Sequence, residues 1–443
     1  MRHVDFPSNR TFVFVLLILA SGVFVDCEQQ RESGDQEPVK IVHLTYWPAP
    51  NPQEVMLADS VVTMWNRTHP DIQVRMQPIP VSQSTEEVLL AAIAGGTTPD
   101  ICSNIWPGAL HEYTRAGGLL RLDQFPDFDS IASTRTPRDL LETFLSDDEH
   151  YYQMPWKTNP VMMFYNVRMF QEAGVKEVPR TYSEFLAAAT KLTRDLNGDG
   201  QIDIWAGERD IRPIWRERLS DFFPFYIAAT GGHTLFEAGE PAFDNGAARD
   251  VFKFFQSCYA HEFFPRTFFQ GGDPFILERK ATHFAGPWQI ATMQKLAPHV
   301  RYGVAPIPVP DSSRGPVYTY GDYKNIAIFN TTKHPQEAWE FLKFLVTSKH
   351  DLLLLEIANQ IPVRGDLTSN SLFADFFERN PKMVTFAKQT VYTRGVDAVP
   401  DLKEIFDAIS QEYEACAVYG RNTPEEAVRL AVRRARLIVD WNR

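Results

Sequence analysis

The chain has 443 residues, 44% of them hydrophobic and 23% charged, with a formal net charge of −12. That length is enough for two sizeable cores, and the composition is that of a folded globular protein rather than a disordered one. The acidic balance argues against non-specific nucleic-acid binding, which needs a basic surface.

Residues 1–27 read as a targeting segment. Arg2, His3 and Arg10 precede an apolar run from Thr11 to Val25, which has the length of a signal-peptide core and is short for a membrane span. Cys27 and a polar tether over residues 28–38 follow. This order is similar to a bacterial lipoprotein signal in which Cys27 would carry the lipid, although Phe24 and Asp26 stand where that pattern has small or aliphatic residues. A cleaved secretory peptide and an uncleaved anchor are the alternatives. The expected location is the periplasm or the outer face of the cytoplasmic membrane. Cys102, Cys258 and Cys416 show no zinc-ligand spacing and read as buried small hydrophobes.

Val39–Trp47 alternates and is β-rich, a first strand. A helix is expected from about Gln53 to Thr68, with Val55, Met56, Val62 and Trp65 on its apolar face, then a strand over Ile72–Gln77. Ser84-Thr85-Glu86-Glu87 reads as a capping box for a helix over Val88–Ala94. Pro99–Trp106 is strand then loop, and Pro107 opens another helix. Strands alternating with helices imply parallel βαβ units, where ligands collect at the carboxyl ends of strands. Trp47, Asn104 and Trp106 stand at such ends.

In the middle of the chain, the polar, aromatic-bearing Pro155–Pro160 leads into the apolar run Val161–Tyr165, sized for a buried strand. Met169–Gly174 is a short helix, and Thr181–Glu184 is a second capping box. Asp195, Asn197, Asp199, Gln201 and Asp203 fall at loop positions 1, 3, 5, 7 and 9 of a calcium loop, with Gly200 at the sharp turn. Ala206 replaces the usual bidentate glutamate. A structural calcium ion is the expectation, and a metal-free Asp/Asn/Gly turn is the other reading. Arg209, Arg212, Arg216 and Arg218 either bind an anion or form a solvated helix face. Further helices are expected at 221–229 and 245–264, and Ala281–Ile290 reads as strand, turn and helix with Trp288 at the turn. The end of the chain is helical, with Arg429, Arg433, Arg434 and Arg436 on a solvated face.

These segments carry motifs in a family order. They include Tyr165-Asn166…Phe170…Ala173-Gly174, Gly95-Gly96-Thr97-Thr98-Pro99-Asp100, the run Pro179–Phe185, Gly286-Pro287-Trp288, Gly303…Pro306-Ile307-Pro308, Glu337-Ala338-Trp339-Glu340-Phe341 and Pro362-Val363-Arg364. Over about residues 39–420 the chain resembles bacterial extracellular solute-binding proteins of family 1, the maltose-binding-protein-like sugar receptors of ABC importers. The resemblance implies an α/β, two-lobed type II periplasmic-binding-protein fold, with discontinuous lobes joined by hinge crossings. Lobe 1 would comprise residues 39–158 plus 326–363, and lobe 2 residues 159–325 plus 364–443. Crossings are expected near Thr158–Val161, Tyr320–Ile328 and Pro362–Asp366.

The implied function is capture of a mono- or oligosaccharide without catalysis, and its delivery to ABC permease subunits by a monomer that needs no cofactor beyond calcium. A sugar has flat C–H faces and a rim of hydroxyls, matched by indole planes and polar side chains. The residues implied are Trp47, Asn104, Trp106, Trp156, Lys157, Trp288, Asp322 and Tyr323. Rivals are a same-fold receptor for glycerol-phosphate, a peptide or a polyamine, in transport or sensing, and an exported glycoside hydrolase. The hydrolase needs two opposed carboxylates, whereas Asp147, Asp148 and Glu149 are adjacent, and no G-x-S-x-G, H-E-x-x-H or Walker motif occurs.

Overall fold

The computed structural model describes residues 41–80, 84–209 and 215–442. The leader and Cys27 therefore lie outside the described residues, as does Arg212. Among the described residues no helix is long and apolar enough to cross a membrane.

The larger of two main sheets has six strands. Its order is Ile361–Pro362, Met154–Thr158, Lys324–Ile328, Ile101–Ile105, Val42–Trp47 and Ile72–Met76. Val42–Trp47 runs parallel to both of its neighbours. Lys324–Ile328 lies antiparallel between Ile101–Ile105 and Met154–Thr158, so a late segment completes the sheet that the first hundred residues began. The smaller sheet has Met162–Asn166 at its centre, antiparallel to Thr282–Ala285 and to Tyr302–Ala305.

Between the sheets runs a three-stranded ribbon. Val161 N–H donates to the Tyr320 carbonyl at 2.9 Å, Pro160 bridges Gly321, and Thr319–Tyr320 pairs in parallel with Thr393–Arg394. Thr393–Arg394 thus adds a strand to the ribbon, while around Pro362–Asp366 the chain passes from the core of the larger sheet, which holds Trp339, Leu342 and Leu354, to that of the smaller, which holds Leu367, Phe373 and Phe376. Ile361–Pro362, just before that passage, is the edge strand of the larger sheet, paired with Thr158 and Lys157. The sequence signal for it was thin: two residues cannot show an alternation.

Local chemistry explains most elements. Asn51 caps the helix Pro52–Thr68 by accepting from Glu54 N–H at 3.0 Å. Its buried face is Leu57, Ala58, Val61, Val62 and Trp65, which leaves Met56 exposed and off the face the sequence suggested. Thr181 and Glu184 form the expected reciprocal capping box. The box expected at Ser84 does not form, because its hydroxyl donates to the Glu86 carboxylate at 2.6 Å instead. Asn166 ends the central strand and caps the next short helix through Met169 N–H. Cys102, Cys258 and Cys416 are buried free thiols.

Candidate functional site

A cleft of about 940 Å³ opens between the two sheets along one side of the ribbon. From the larger sheet it receives the loop after the first strand (Ala49, Pro50, Asn51), Glu54, and Asn104 and Trp106 at the end of Ile101–Ile105. The larger sheet also supplies Lys157 and Lys324, and the ribbon with its flanking residues supplies Asn159, Tyr320 and Asp322. From the smaller sheet come Phe284, Ala285, Trp288 and Lys295. The parallel strands thus present their carboxyl ends to the cleft, as expected for an α/β sheet.

Trp288 is the first residue of the helix Trp288–Leu296, separated from the strand Thr282–Ala285 by Gly286 and Pro287. It is 41% exposed, unusual for a tryptophan in so aromatic a chain. Its indole lies across Gly286, where an added β-carbon would stand 2.0 Å from the ring. Behind it, the Gln289 amide donates to Asp273 Oδ2 at 3.0 Å, and Lys280 lies 3.7 Å from Asp273 and 2.9 Å from Glu208. His283 sits against the same group, and burial pushes its pKa down to about 3, so the ring stays neutral. This mostly buried polar group anchors the turn that presents the indole.

Four of the six charged side chains of the cleft form two ion pairs. Lys157, 1% exposed, binds the Glu54 carboxylate, and its ammonium lies 4.9 Å from the Trp156 ring centre. Burial pushes the Lys157 pKa down, and Glu54 opposes that shift. Lys324 donates to Asp322 at 2.7 Å, and the Tyr320 hydroxyl donates to the same carboxylate at 3.2 Å. Glu86 and Lys295 are the other charged lining residues, so three carboxylates and three lysines leave the lining formally neutral.

Five of the eight expected residues line the cleft: Asn104, Trp106, Lys157, Trp288 and Asp322. Three do not, and the two-residue period of a strand explains two of them. Lys157 faces the cleft, so its neighbour Trp156 points the other way and is 4% exposed in the core packed on the larger sheet. Asp322 and Lys324 face the cleft, so Tyr323 between them packs edge-on against Phe144 at 4.9 Å and bonds Thr393. Trp47 packs, partly buried, against core residues. Sequence reasoning missed Glu54, Lys295 and Lys324. Glu54 was findable: Asn51 as a cap places it in the first turn of a helix that starts at the end of a strand.

Arg209 is buried with its guanidinium 5.6–6.0 Å from the ring centres of Phe225, Phe255 and Phe284, and it does not line the cleft. The side chains of Arg216 and Arg218 lie outside the described residues. In the Asp195–Asp203 loop, Asp195 accepts from the N–H groups of Gly198 and Gly200 at 2.7 and 2.8 Å. These bonds hold its carboxyl below the usual range. Asp199 accepts from Gln201 N–H and Asp203 from Leu196 N–H, both at 2.8 Å. Among the described residues no three His, Cys, Asp or Glu side chains converge as a metal-holding group.

The comparisons with known proteins agree with this geometry. A family model described as bacterial extracellular solute-binding protein matches residues 60–385. The maltotriose-binding protein of Pyrococcus abyssi is 25% identical over 333 residues, 73% of this chain and 67% of that protein. The arabinooligosaccharide-binding protein of Halalkalibacterium halodurans is 23% identical over 351 residues, 74% of this chain and 73% of that one. Among solved structures, the cyclic α-maltosyl-1,6-maltose binding protein of Arthrobacter globiformis superposes with a TM-score of 0.78 at 18% identity, covering 90% of this chain and 99% of that one. Two sheet-based lobes, a ribbon between them, a cleft at the strand ends and a family match over most of the length place this chain in the bacterial extracellular solute-binding protein family.

Proposed function

We propose that this protein captures an uncharged saccharide in the inter-lobe cleft, outside the cytoplasm, and delivers it to an ABC importer without chemically altering it. One observation carries the reading. The cleft offers a half-exposed indole plane, while its three acidic and three basic lining residues sum to zero and two of each are joined in ion pairs. An indole face suits the C–H face of a pyranose or furanose ring. Paired charges can still accept and donate at hydroxyls, yet they leave no net charge for a phosphate or a polyamine. A polyamine site needs surplus carboxylates, and a phosphate site needs surplus cations. The saccharide-binding relatives support the same ligand class. Glu54 and Asp322 are each paired with a lysine, an arrangement unsuited to the opposed acid and base of a glycoside hydrolase.

Ligand would bridge the lobes and favour the closed state through contacts that exist only there. The test is a thermal-shift and calorimetric screen against mono- and oligosaccharides, glycerol-phosphates, peptides and polyamines. Binding confined to saccharides, with the saccharide recovered intact, is the expected result. Tight binding of a phosphate or polyamine and not of any saccharide would overturn it. For location, mass spectrometry of the protein's mature N-terminus tests the proposed lipid on Cys27 against a cleaved peptide.

Calcium in the Asp195–Asp203 loop is a separate proposal, supported by ligand spacing and by an exposed, ionised Asp195. Its side chains are engaged by loop N–H groups, so binding requires Asp199 and Asp203 to turn toward a common point.

A further inference from the structure

A second groove, of about 1260 Å³, is lined by Pro107, Leu110, Tyr226, Thr230, Arg394 and Val399, among others. It adjoins the cleft along three elements at once. Trp106 lines the cleft, and Pro107, the next residue, lines the second groove. Ser220, in the helix Trp215–Ala229, lines the cleft, and Tyr226, six residues or about 9 Å further along the same helix, lines the groove. Tyr320 lines the cleft, and its parallel ladder partner Arg394 lines the groove. Paired residues of adjacent strands project from the same face of a ribbon. The two spaces are therefore neighbours on one face of the crossing strands and not on opposite sides of the hinge.

What separates them is Trp106 against Tyr320. The Trp106 indole N–H donates to the Tyr320 hydroxyl at 3.4 Å, a long bond, and that hydroxyl continues to Asp322. The pair is pinned from both sides. Trp106 lies across Gly108, where a β-carbon would stand 2.3 Å from its ring. Tyr320 meets Phe223 edge-on at 5.6 Å. Both rings belong to a buried core cluster, so neither is a loose surface side chain.

The geometry points to Trp106 and Tyr320 as specificity-determining residues that set the length of the bound saccharide, forming a fixed wall between two halves of one inter-lobe channel. This rests on the saccharide reading above. A short chain fills the Trp288 half. A longer one meets the wall, and its further units gain no contacts in the second groove.

The test is calorimetric titration of the full chain with linear malto-, arabino- and chito-oligosaccharides of two to seven units, on wild type and Tyr320→Ala. In wild type, affinity is expected to stop rising with length before the longest members. In Tyr320→Ala, the longest members should gain at least tenfold relative to the shortest of the same series. Affinity that climbs to the longest chain in wild type overturns the wall, as does a folded Tyr320→Ala that changes all lengths equally. If Tyr320→Ala does not fold, the wild-type length series alone decides. Absence of binding by every carbohydrate screened overturns the saccharide reading and the wall with it, whereas binding without a length limit overturns only the wall.

Discussion

The ring of Trp288 rests on the bare backbone of Gly286, 2.0 Å from where any β-carbon there would sit. The side chain that the cleft displays is thus aimed by a side chain that is missing. Trp288→Ala and Gly286→Ala are expected to weaken saccharide binding by a similar factor, about 10- to 100-fold or roughly 1.4–2.8 kcal/mol. The first removes the plane and the second tilts it. Because Trp288 is half-exposed, the apo melting temperature should stay within a few degrees in either variant. Calorimetry beside thermal unfolding separates the outcomes. A large loss of apo stability in Trp288→Ala would make it a core residue, and full affinity in Gly286→Ala would remove the seat.

Asp351 is wholly buried between two arginines. Arg135 reaches it at 2.9 Å and Arg364 at 3.1 Å, and Arg364 also holds Asp366 at 2.8 Å. Arg135 donates as well to the carbonyls of Val346 and Trp156. The group ties the Pro362–Arg364 turn to the strand that leads into the ribbon. Asp351→Ala leaves two buried cations facing each other, and a loss of about 3–5 kcal/mol in urea unfolding is expected. A change under 1 kcal/mol would mean that water reaches the site in solution.

Asp397 accepts from Leu235 N–H at 3.0 Å and from Phe236 N–H at 3.2 Å beside the second groove. Burial pushes its pKa up to about 6, from an ordinary 3.8. The folded protein therefore holds this proton more tightly than the unfolded chain does. Its contribution is fully present below pH ~4 and is lost as pH rises through about 6, by at most about 3 kcal/mol. Subtracting the stability of Asp397→Asn from wild type across pH 4–7 isolates this group from others that titrate nearby. The difference should fall with rising pH; a flat or rising difference contradicts it.

Calcium at the Asp195–Asp203 loop would bind the folded state and not the unfolded one, so it raises stability by mass action. Added calcium is expected to raise the melting temperature of chelator-treated protein, and Asp199→Ala should abolish the response. An identical melting temperature with and without chelator would leave the loop as a turn closed by its own hydrogen bonds.

The alternating Val42–Trp47, the capping box at Thr181 and the apolar run before Asn166 were all legible, because their signals are local: side-chain period, caps and strand length decide them. So was the turn that carries Trp288. The cleft was only partly legible. Side-chain period could have told Lys157 from Trp156 and Asp322 from Tyr323, but only once one residue of each strand had been assigned a face. Pairing across distance was not legible at all. Glu54 meets Lys157 across 103 residues, and Thr393–Arg394 joins a ribbon whose other strands lie more than 70 residues earlier.

Sequence alone determined the class of fold, the order of its elements and the family to which they belong, because each is written in the spacing of neighbouring side chains. Only the tertiary structure decided which aromatic rings face the cleft, that the charges there sum to zero, and that Trp106 and Tyr320 stand between two grooves. Those facts depend on which distant strands lie side by side, and the free energy that selects a pairing comes from burial over whole sheets rather than from any short stretch of chain.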